Sequence, residues 1–419
     1  MDLLPLAALL MTLTAVFAFL NHRFLGLPTA IGVMLISLLF SAGLLAADAL
    51  GGGLASRMET VFRNIDFNRT LMDGMLSFLL FAGALHVNLG DLWKHRFSIG
   101  LLASIGVMLS TLIVGTATYA LLDLLGLSLP YIYCLIFGAL ISPTDPIAVL
   151  AILKQAGASR QLETNITGES LFNDGVGVVV FIALLGFIGA GHGDSQSAGA
   201  VAWLFVQEAF GGALLGLLAG GVAYAMLKQV NSYQVEVLIT LALVLGGYQL
   251  ALLLHLSGPI AMVVAGLLIG NHGRMLAMDD VSRQHLDKFW ELIDEILNAV
   301  LFVLIGVELL VLTFAPSYLL AGALLIPTVL LARFVAAGIP LRLIRPWHDL
   351  GPHAAKLMTW AGLRGGISVA LALSLPAGPE RELIVTVTYC IVLFSIVVQG
   401  LTVGRVVGYL GGADKRPAR

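Results

Sequence analysis

Two interruptions of long apolar segments decide the fold: Ser142-Pro143-Thr144-Asp145-Pro146 and Gly362-Leu363-Arg364-Gly365-Gly366. In the first, each proline lacks a backbone donor and is expected to free the carbonyl four residues earlier, at Ala139 and Ser142. In the second, glycines loosen a helix around a charged side chain. Irregular backbone within a bilayer is tolerated only where protein or a water-filled cavity surrounds it, so both interruptions predict an internal site.

The rest of the chain predicts an all-α integral membrane protein. Of its 419 residues, 59% are hydrophobic and 11% are charged, against roughly 45–50% and about 25% in soluble domains. A membrane helix needs about 20 mostly apolar residues, and runs of that kind fill most of the sequence. We predict about thirteen spans, near residues 3–20, 27–47, 70–88, 97–122, 130–153, 166–190, 201–227, 234–254, 257–271, 291–313, 317–341, 353–375 and 383–410.

The interruptions fall in spans 5 and 12, seven spans apart. This spacing predicts two six-helix repeats of opposite orientation, spans 1–6 and 8–13, whose broken helices cross at the middle of the bilayer, as in secondary transporters. Most of the 22 Lys and Arg residues follow odd-numbered spans, which predicts an outer N-terminus and a cytoplasmic C-terminus. The exception, 56–69, has arginines and apolar residues at helical spacing and predicts an amphipathic surface helix.

Composition also excludes several classes of protein. A formal net charge of −3 without a basic stripe argues against nucleic acid as a partner. The sequence has neither a Walker-type phosphate loop nor a His-Glu-x-x-His helix, so ATP-driven transport and intramembrane metalloproteolysis have no support. Cys134 and Cys390 both lie in apolar segments, which gives no sign of a disulfide framework or a thiolate metal site. We expect no cofactor.

Ionisable residues within the spans point to an ion site. Each costs at least about 2.5–3.5 kcal/mol near the bilayer centre and therefore needs a partner or a purpose. Four are acids and two are bases: Asp145, Glu169, Asp174, Glu308, Arg333 and Arg364. Because two arginines cannot neutralise four carboxylates, a bound cation or a proton must balance the surplus.

Span 6 holds the densest polar set, in the stretch Gly168-Glu169-Ser170-Leu171-Phe172-Asn173-Asp174-Gly175. Helical spacing places Ser170 and Asp174 on one face, with Glu169 and Asn173 on an adjacent strip. Carboxylate, hydroxyl and amide oxygens suit a hard cation such as Na+ or Li+. Thr144, Asp145 and the freed carbonyls of span 5 are predicted to complete the ligand shell. Alternatively, Ser170 and Asn173 form interhelical hydrogen bonds.

The stretches at 138–146, 168–175 and 362–368, taken together, resemble the prokaryotic Na+/H+ antiporters of the monovalent cation:proton antiporter superfamily, in the branch shared with animal sodium/proton exchangers. The resemblance covers nearly the whole chain, in order and at matching spacing. It implies a homodimer in a bacterial or archaeal plasma membrane. It further implies an interface domain at 1–92 and 230–315, a transport core at 93–192 and 316–412, and a linker helix at 193–229.

The resemblance also implies roles for the charged residues. Asp174 alternately binds the cation, Na+ or Li+, and the proton; Thr144, Asp145, Ser170 and Asn173 surround it, and Asp145 and Ser170 join Asp174 as metal ligands. Arg333 resembles the family's core arginine, which pairs with Glu169, and Arg364 occupies the broken helix of the second repeat.

One titrating carboxylate in the Asn173-Asp174 motif implies electroneutral exchange by alternating access, one cation for one proton, a reaction that serves pH homeostasis. Some relatives carry a glutamate near Ala82 that contributes to the ion site, and this chain lacks it.

Several residues keep two interpretations. His86 either modulates activity or lies at the membrane interface, and Glu308 either modulates activity or pairs at an interface. An acidic strip leading into span 10 either attracts cations into a funnel or is a solvated helix start; it comprises Asp287, Glu291, Asp294 and Glu295.

Three other functions remain open at this point. The nearest is K+/H+ exchange by the same machinery, because cation selectivity depends on cavity dimensions. A cation channel would favour rings of charges or carbonyls around a continuous pore. An intramembrane hydrolase would use Ser142 or Ser170 with His86 as nucleophile and base, but it leaves the surrounding carboxylates unexplained. We therefore expect a transporter and not an enzyme.

Overall fold

The computed structural model describes residues 3–49, 74–146, 149–150, 152–153, 159–189, 198–273, 280–310, 315–345, 351 and 353–413. Most of these residues are helical. The α-helices are α1 (Leu3–Leu20), α2 (Thr29–Ala49), α3 (Leu76–Leu85), α4 (Leu89–Lys94), α5 (Arg96–Leu101), α6 (Val107–Leu124), α7 (Tyr131–Ile141), α8 (Arg160–Gly189), α9 (Ala198–Leu227), α10 (Tyr233–Leu253), α11 (Gly258–Leu268), α12 (Asp280–Glu308), α13 (Pro316–Ile344), α14 (Ala354–Ala361), α15 (Gly366–Leu373), α16 (Pro379–Phe394) and α17 (Gly400–Ala413). The amphipathic helix predicted at 56–69 lies outside the described residues.

Single π-helical turns extend or join several of these helices. They are Asn21–Leu25, Leu102–Gly106, Ile269–Gly273 and Ser395–Gln399. The second joins α5 to α6 and the fourth joins α16 to α17, so each pair forms one long rod. Within the described residues, eight helical stretches are long and apolar enough to cross a bilayer, and shorter apolar helices occur at 76–85, 131–141 and 258–273.

The predicted all-α membrane fold is confirmed, including the interruptions in spans 5 and 12. In span 5, helix α7 ends at Ile141. Span 12 is divided into α14 and α15 by the residues from Gly362 to Gly365. Predicted helix boundaries were less accurate. Span 6 was predicted from residue 166 and span 10 from residue 291, whereas α8 begins at Arg160 and α12 at Asp280. Each helix begins with charged turns that precede its apolar portion, and hydropathy does not detect such turns.

Buried apolar side chains form two clusters, and the larger one holds the interrupted helices. The larger includes α7 and α13 to α17 together with α1 and α2, and the smaller includes α3, α10, α11 and the first half of α12. Helix α7 packs closely on α6, because a Cβ added to Gly138 would lie 2.3 Å from the carbonyl oxygen of Thr111. Gly138 therefore allows α6 and α7 to approach closely just before α7 ends. The division into an interface domain and a transport core stays a prediction.

Candidate functional site

The two interruptions cross at the centre of the molecule. The Asp145 backbone N–H donates to the Leu363 carbonyl at 2.8 Å, and the two residues form an isolated antiparallel bridge. The Arg364 backbone N–H donates to the Ser395 hydroxyl at 2.9 Å. Because hydrogen bonds between the breaks and to a neighbouring helix replace helical ones, the irregular backbone stays satisfied in an apolar setting.

Arg364 completes the end of α7. Its buried guanidinium donates from Nη1 to the carbonyl oxygens of Ser142, at 2.5 Å, and Pro143, at 2.9 Å. A cation at a helix C-terminus is favourable because the helix dipole leaves partial negative charge there. The positive charge in the second broken helix therefore stabilises the open end of the first.

The carbonyls that the prolines were expected to free both accept hydrogen bonds, and their role as cation ligands stays a prediction. The Ala139 carbonyl accepts from the Ser142 backbone N–H at 3.3 Å, and the Ser142 carbonyl accepts from Arg364. The sequence of span 5 alone does not reveal the second of these donors. Arg364 lies 222 residues away in sequence and supplies the donor that the proline removes.

Glu169 and Arg333 form a buried ion pair. Arg333 Nη2 donates to Glu169 Oε2 at 2.8 Å, and Arg333 Nη1 donates to Glu169 Oε1. The side chain of Arg333 is 7% exposed and that of Glu169 is 1% exposed. Two parallel N–H to oxygen bonds give the guanidinium a fixed orientation. Gly362 leaves room for it, because a Cβ there would lie 3.0 Å from Arg333 Nε.

Thr144 connects the first interruption to α8. The hydroxyls of Thr144 and Ser170 lie 3.0 Å apart. Asn173 Nδ2 donates to the Thr144 hydroxyl at 2.9 Å, and the Thr144 backbone N–H donates to Asn173 Oδ1 at 3.3 Å. Thr144 and Ser170 line the central cavity, whereas the fully buried Asn173 is absent from the described lining. The structure thus places Asn173 behind Thr144, where it forms an interhelical contact.

Two carboxylates, Asp145 and Asp174, line a cavity of about 990 Å³. Both lie in the lining together with Thr144 and Ser170. Among the described residues, no basic side chain pairs with Asp174. When Thr144 is the donor in its hydrogen bond with Ser170, each of the two hydroxyl oxygens keeps one lone pair for a further ligand. The arrangement offers carboxylate and hydroxyl oxygens to a small hard cation.

The remaining predicted residues have different positions. His86 lines the same cavity, and its Nδ1 lies 2.8 Å from the Ala82 carbonyl oxygen. Ala82 also contributes to the lining. Glu308 is the last residue of α12, and the structure does not bring it to Asp174.

Sequence reasoning overlooked two buried polar residues in the cavity lining, Asn298 of α12 and Ser368 of α15. Both lie within predicted spans, 10 and 12. The available signal was a polar residue within an apolar run, which by itself does not distinguish a cavity from a helix interface.

The hydrolase interpretation loses its geometric basis. The Ser142 hydroxyl donates to the Gly138 carbonyl at 2.6 Å, and the Ser170 hydroxyl contacts Thr144. Neither serine pairs with His86 in the part of the chain that the structure describes.

A family profile described as the transmembrane sodium/hydrogen exchanger matches residues 9–408. The chain belongs to the sodium/hydrogen exchanger family. It is therefore a multi-pass membrane transporter and not an enzyme, and the resemblance found in the sequence is confirmed.

Individual relatives agree over most of the chain. The Na+/H+ antiporter NhaP of Pseudomonas aeruginosa is 50% identical over 410 residues, which cover 97% of this chain and 96% of that protein. The Na+/H+ antiporter NhaH of Halobacillus aidingensis is 36% identical over 351 residues, with 82% and 84% coverage. The solved structure of the sodium proton antiporter MjNhaP1 from Methanocaldococcus jannaschii matches with a TM-score of 0.76 at 20% identity. It covers 96% of this exchanger-family chain and 97% of its own, so the fold is shared.

Proposed function

We propose that this protein exchanges Na+ or Li+ for H+ by alternating access, with both ions competing for Asp174. The observation that carries the proposal is which charged side chains near the cavity are paired and which are not. Arg333 pairs with Glu169, and Arg364 donates to backbone carbonyls. Asp174 has no such partner among the described residues, so a mobile ion is the natural counter-charge.

The competing group is a single carboxylate. Asn173 precedes Asp174 and is neutral, and its amide is engaged with Thr144. One charge therefore moves in each direction, which supports electroneutral exchange. Hard oxygen ligands favour Na+ and Li+, and the relatives described above are named as Na+/H+ antiporters. K+ as the substrate gains no support from them.

The assembly follows the family resemblance. The protein forms a homodimer in a bacterial or archaeal plasma membrane, with its N-terminus outside and its C-terminus in the cytoplasm. Residues 1–92 and 230–315 form the interface domain, 93–192 and 316–412 the transport core, and 193–229 the linker. The distribution of Lys and Arg supports this orientation. Transport needs no cofactor beyond the exchanged ions, and its physiological role is pH homeostasis.

We expect proteoliposomes that contain the protein to dissipate a preset pH gradient when Na+ or Li+ is added, with no response to K+. The rate is expected to be the same with the membrane potential clamped at zero or set by valinomycin and K+. If each cycle carried a net charge, about 2.3 kcal/mol per 100 mV would act on it. Fluorescence of a pH-sensitive dye measures the flux.

The outcomes separate the competing functions. A channel would carry cation current without coupled proton movement, and a hydrolase would leave the gradient unchanged. A change of several fold under an imposed potential would refute exchange of one cation for one proton. Asp145 would then be the first candidate for a second proton carrier.

Competition at one carboxylate also sets the pH dependence. The cation binds only the deprotonated form, so apparent Na+ affinity is expected to fall as the pH drops below the pKa of that carboxyl. The fall approaches about tenfold per pH unit because one proton is displaced. By the same linkage, high Na+ shifts the midpoint of the activity profile to lower pH. Na+ titrations of proton flux at a series of pH values check both trends, and a pH-independent affinity would contradict competition.

A further inference from the structure

One face of α12 borders the cavity between Asp287 and Leu301. Five lining side chains recur at helical spacing, and they are Asp287, Glu291, Asp294, Asn298 and Leu301; Glu295 lines the cavity beside Asp294. Leu301 closes this row, because a Cβ added to Gly366 would lie 2.5 Å from Leu301 Cδ1. The row therefore ends beside the crossing point, with Asn298 as its innermost polar residue.

Asn298 has an unsatisfied oxygen at this position. The residue is 4% exposed, and its Nδ2 donates to the Asp294 carbonyl at 2.8 Å. In the described part of the chain, Asn298 Oδ1 has no hydrogen-bond partner. Because leaving a buried polar atom without a partner is unfavourable, this oxygen has a reason to bind a ligand. With the amide nitrogen held by the backbone, the oxygen remains available as an acceptor or a cation ligand.

Asp145 lies near the inner end of this row, because it contacts Gly365 while Leu301 contacts the adjacent Gly366. Its carboxylate lies against the second interruption, since a Cβ on Gly365 would lie 2.7 Å from Asp145 Oδ2. Asp294 and Asp174 line the same cavity as Asp145. Carboxylates that share such a cavity repel each other where the dielectric constant is low, and a cation bound by Asp145 and Asp294 offsets that repulsion.

We propose that Asp294, Asn298 Oδ1 and Asp145 form a second binding position for Na+ or Li+, which the cation occupies before it reaches Asp174. This inference rests on the proposed function, because it concerns the path to the same site. Carboxylate and amide oxygens are ligands that a hard cation prefers. Asp145 belongs to both positions, so the ion keeps one ligand while it moves from α12 to α8.

The experiment measures ²²Na+ uptake by the full-length protein in proteoliposomes, driven by a proton gradient, over a range of Na+ concentrations. Asp294→Asn and Asn298→Leu are each expected to raise the half-saturating Na+ concentration about fivefold or more, equivalent to about 1 kcal/mol of binding. Asn298→Asp retains an oxygen at this position and is expected to preserve Na+ binding. The matched control is Glu295→Gln, which removes the same charge one residue along α12.

A specific cation site and a diffuse negative potential predict different shifts in the half-saturating Na+ concentration. For a site, Glu295→Gln shifts half-saturation by less than about twofold, and the effect of Asp294→Asn persists in concentrated choline chloride, because salt mainly screens exposed charges. The proposal is overturned if Glu295→Gln and Asp294→Asn shift equally, if added salt abolishes the effect, or if Asp294→Asn has no effect. If Asn298→Leu does not fold, Asp294→Asn and its control decide the question. Wild-type protein without Na+-dependent uptake would instead refute the proposed function.

Discussion

Asp174→Asn is expected to abolish Na+-dependent proton flux in proteoliposomes while the protein still inserts and folds. The substitution preserves the size of the side chain and removes the carboxylate for which cation and proton compete. The structure leaves the fold little reason to depend on that charge, because no basic side chain among the described residues pairs with Asp174. Residual flux is expected below about one hundredth of wild type, since an amide cannot exchange a proton near neutral pH.

The matched control is Glu163→Gln on the same helix. Glu163 also lines the cavity, about 16 Å along α8 from Asp174, and the substitution removes the same charge. We expect it to keep most of the flux. Retention of half the wild-type flux by Asp174→Asn would refute its assigned role, and an equal loss in both variants would point to a general electrostatic effect.

The interruptions were predictable because proline and glycine act through the backbone. Pro143 and Pro146 lack an N–H wherever the surrounding chain lies, and the three glycines around Arg364 weaken a helix locally. The placement of charged residues in apolar spans likewise indicated an internal site without tertiary information. These features depend on short stretches of sequence, and the fold preserves them.

Partners across long sequence distances were not predictable. The sequence shows that a proline frees the Ser142 carbonyl, but it cannot show that Arg364 reaches that oxygen. Asn173 could equally have been a cation ligand or an interhelical contact, and only the position of Thr144 distinguishes the two. The role of Asn298 was likewise not predictable, because it depends on which face of α12 borders the cavity.

Arg333→Ala is expected to lower the free energy of unfolding by about 3–5 kcal/mol, because it leaves the Glu169 carboxylate buried without its partner. This loss is larger than the one expected for Asp174→Asn. Glu169 accepts from both terminal nitrogens of Arg333 in a region where both side chains are nearly inaccessible. The thermal unfolding midpoint of purified protein in detergent measures the loss. Arg342→Ala is the matched control, since Arg342 is an exposed residue of the same helix, α13.

A double substitution distinguishes loss of the pair from loss of packing volume. Glu169→Leu with Arg333→Met replaces both charges by apolar groups, which often costs little because desolvation offsets much of the attraction in a buried ion pair. We therefore expect the double variant to unfold at a higher temperature than Arg333→Ala. If Arg333→Ala unfolded at the wild-type temperature, Glu169 would have another partner. If the double variant were the less stable of the two, the pair itself would contribute more than the cost of burying its charges.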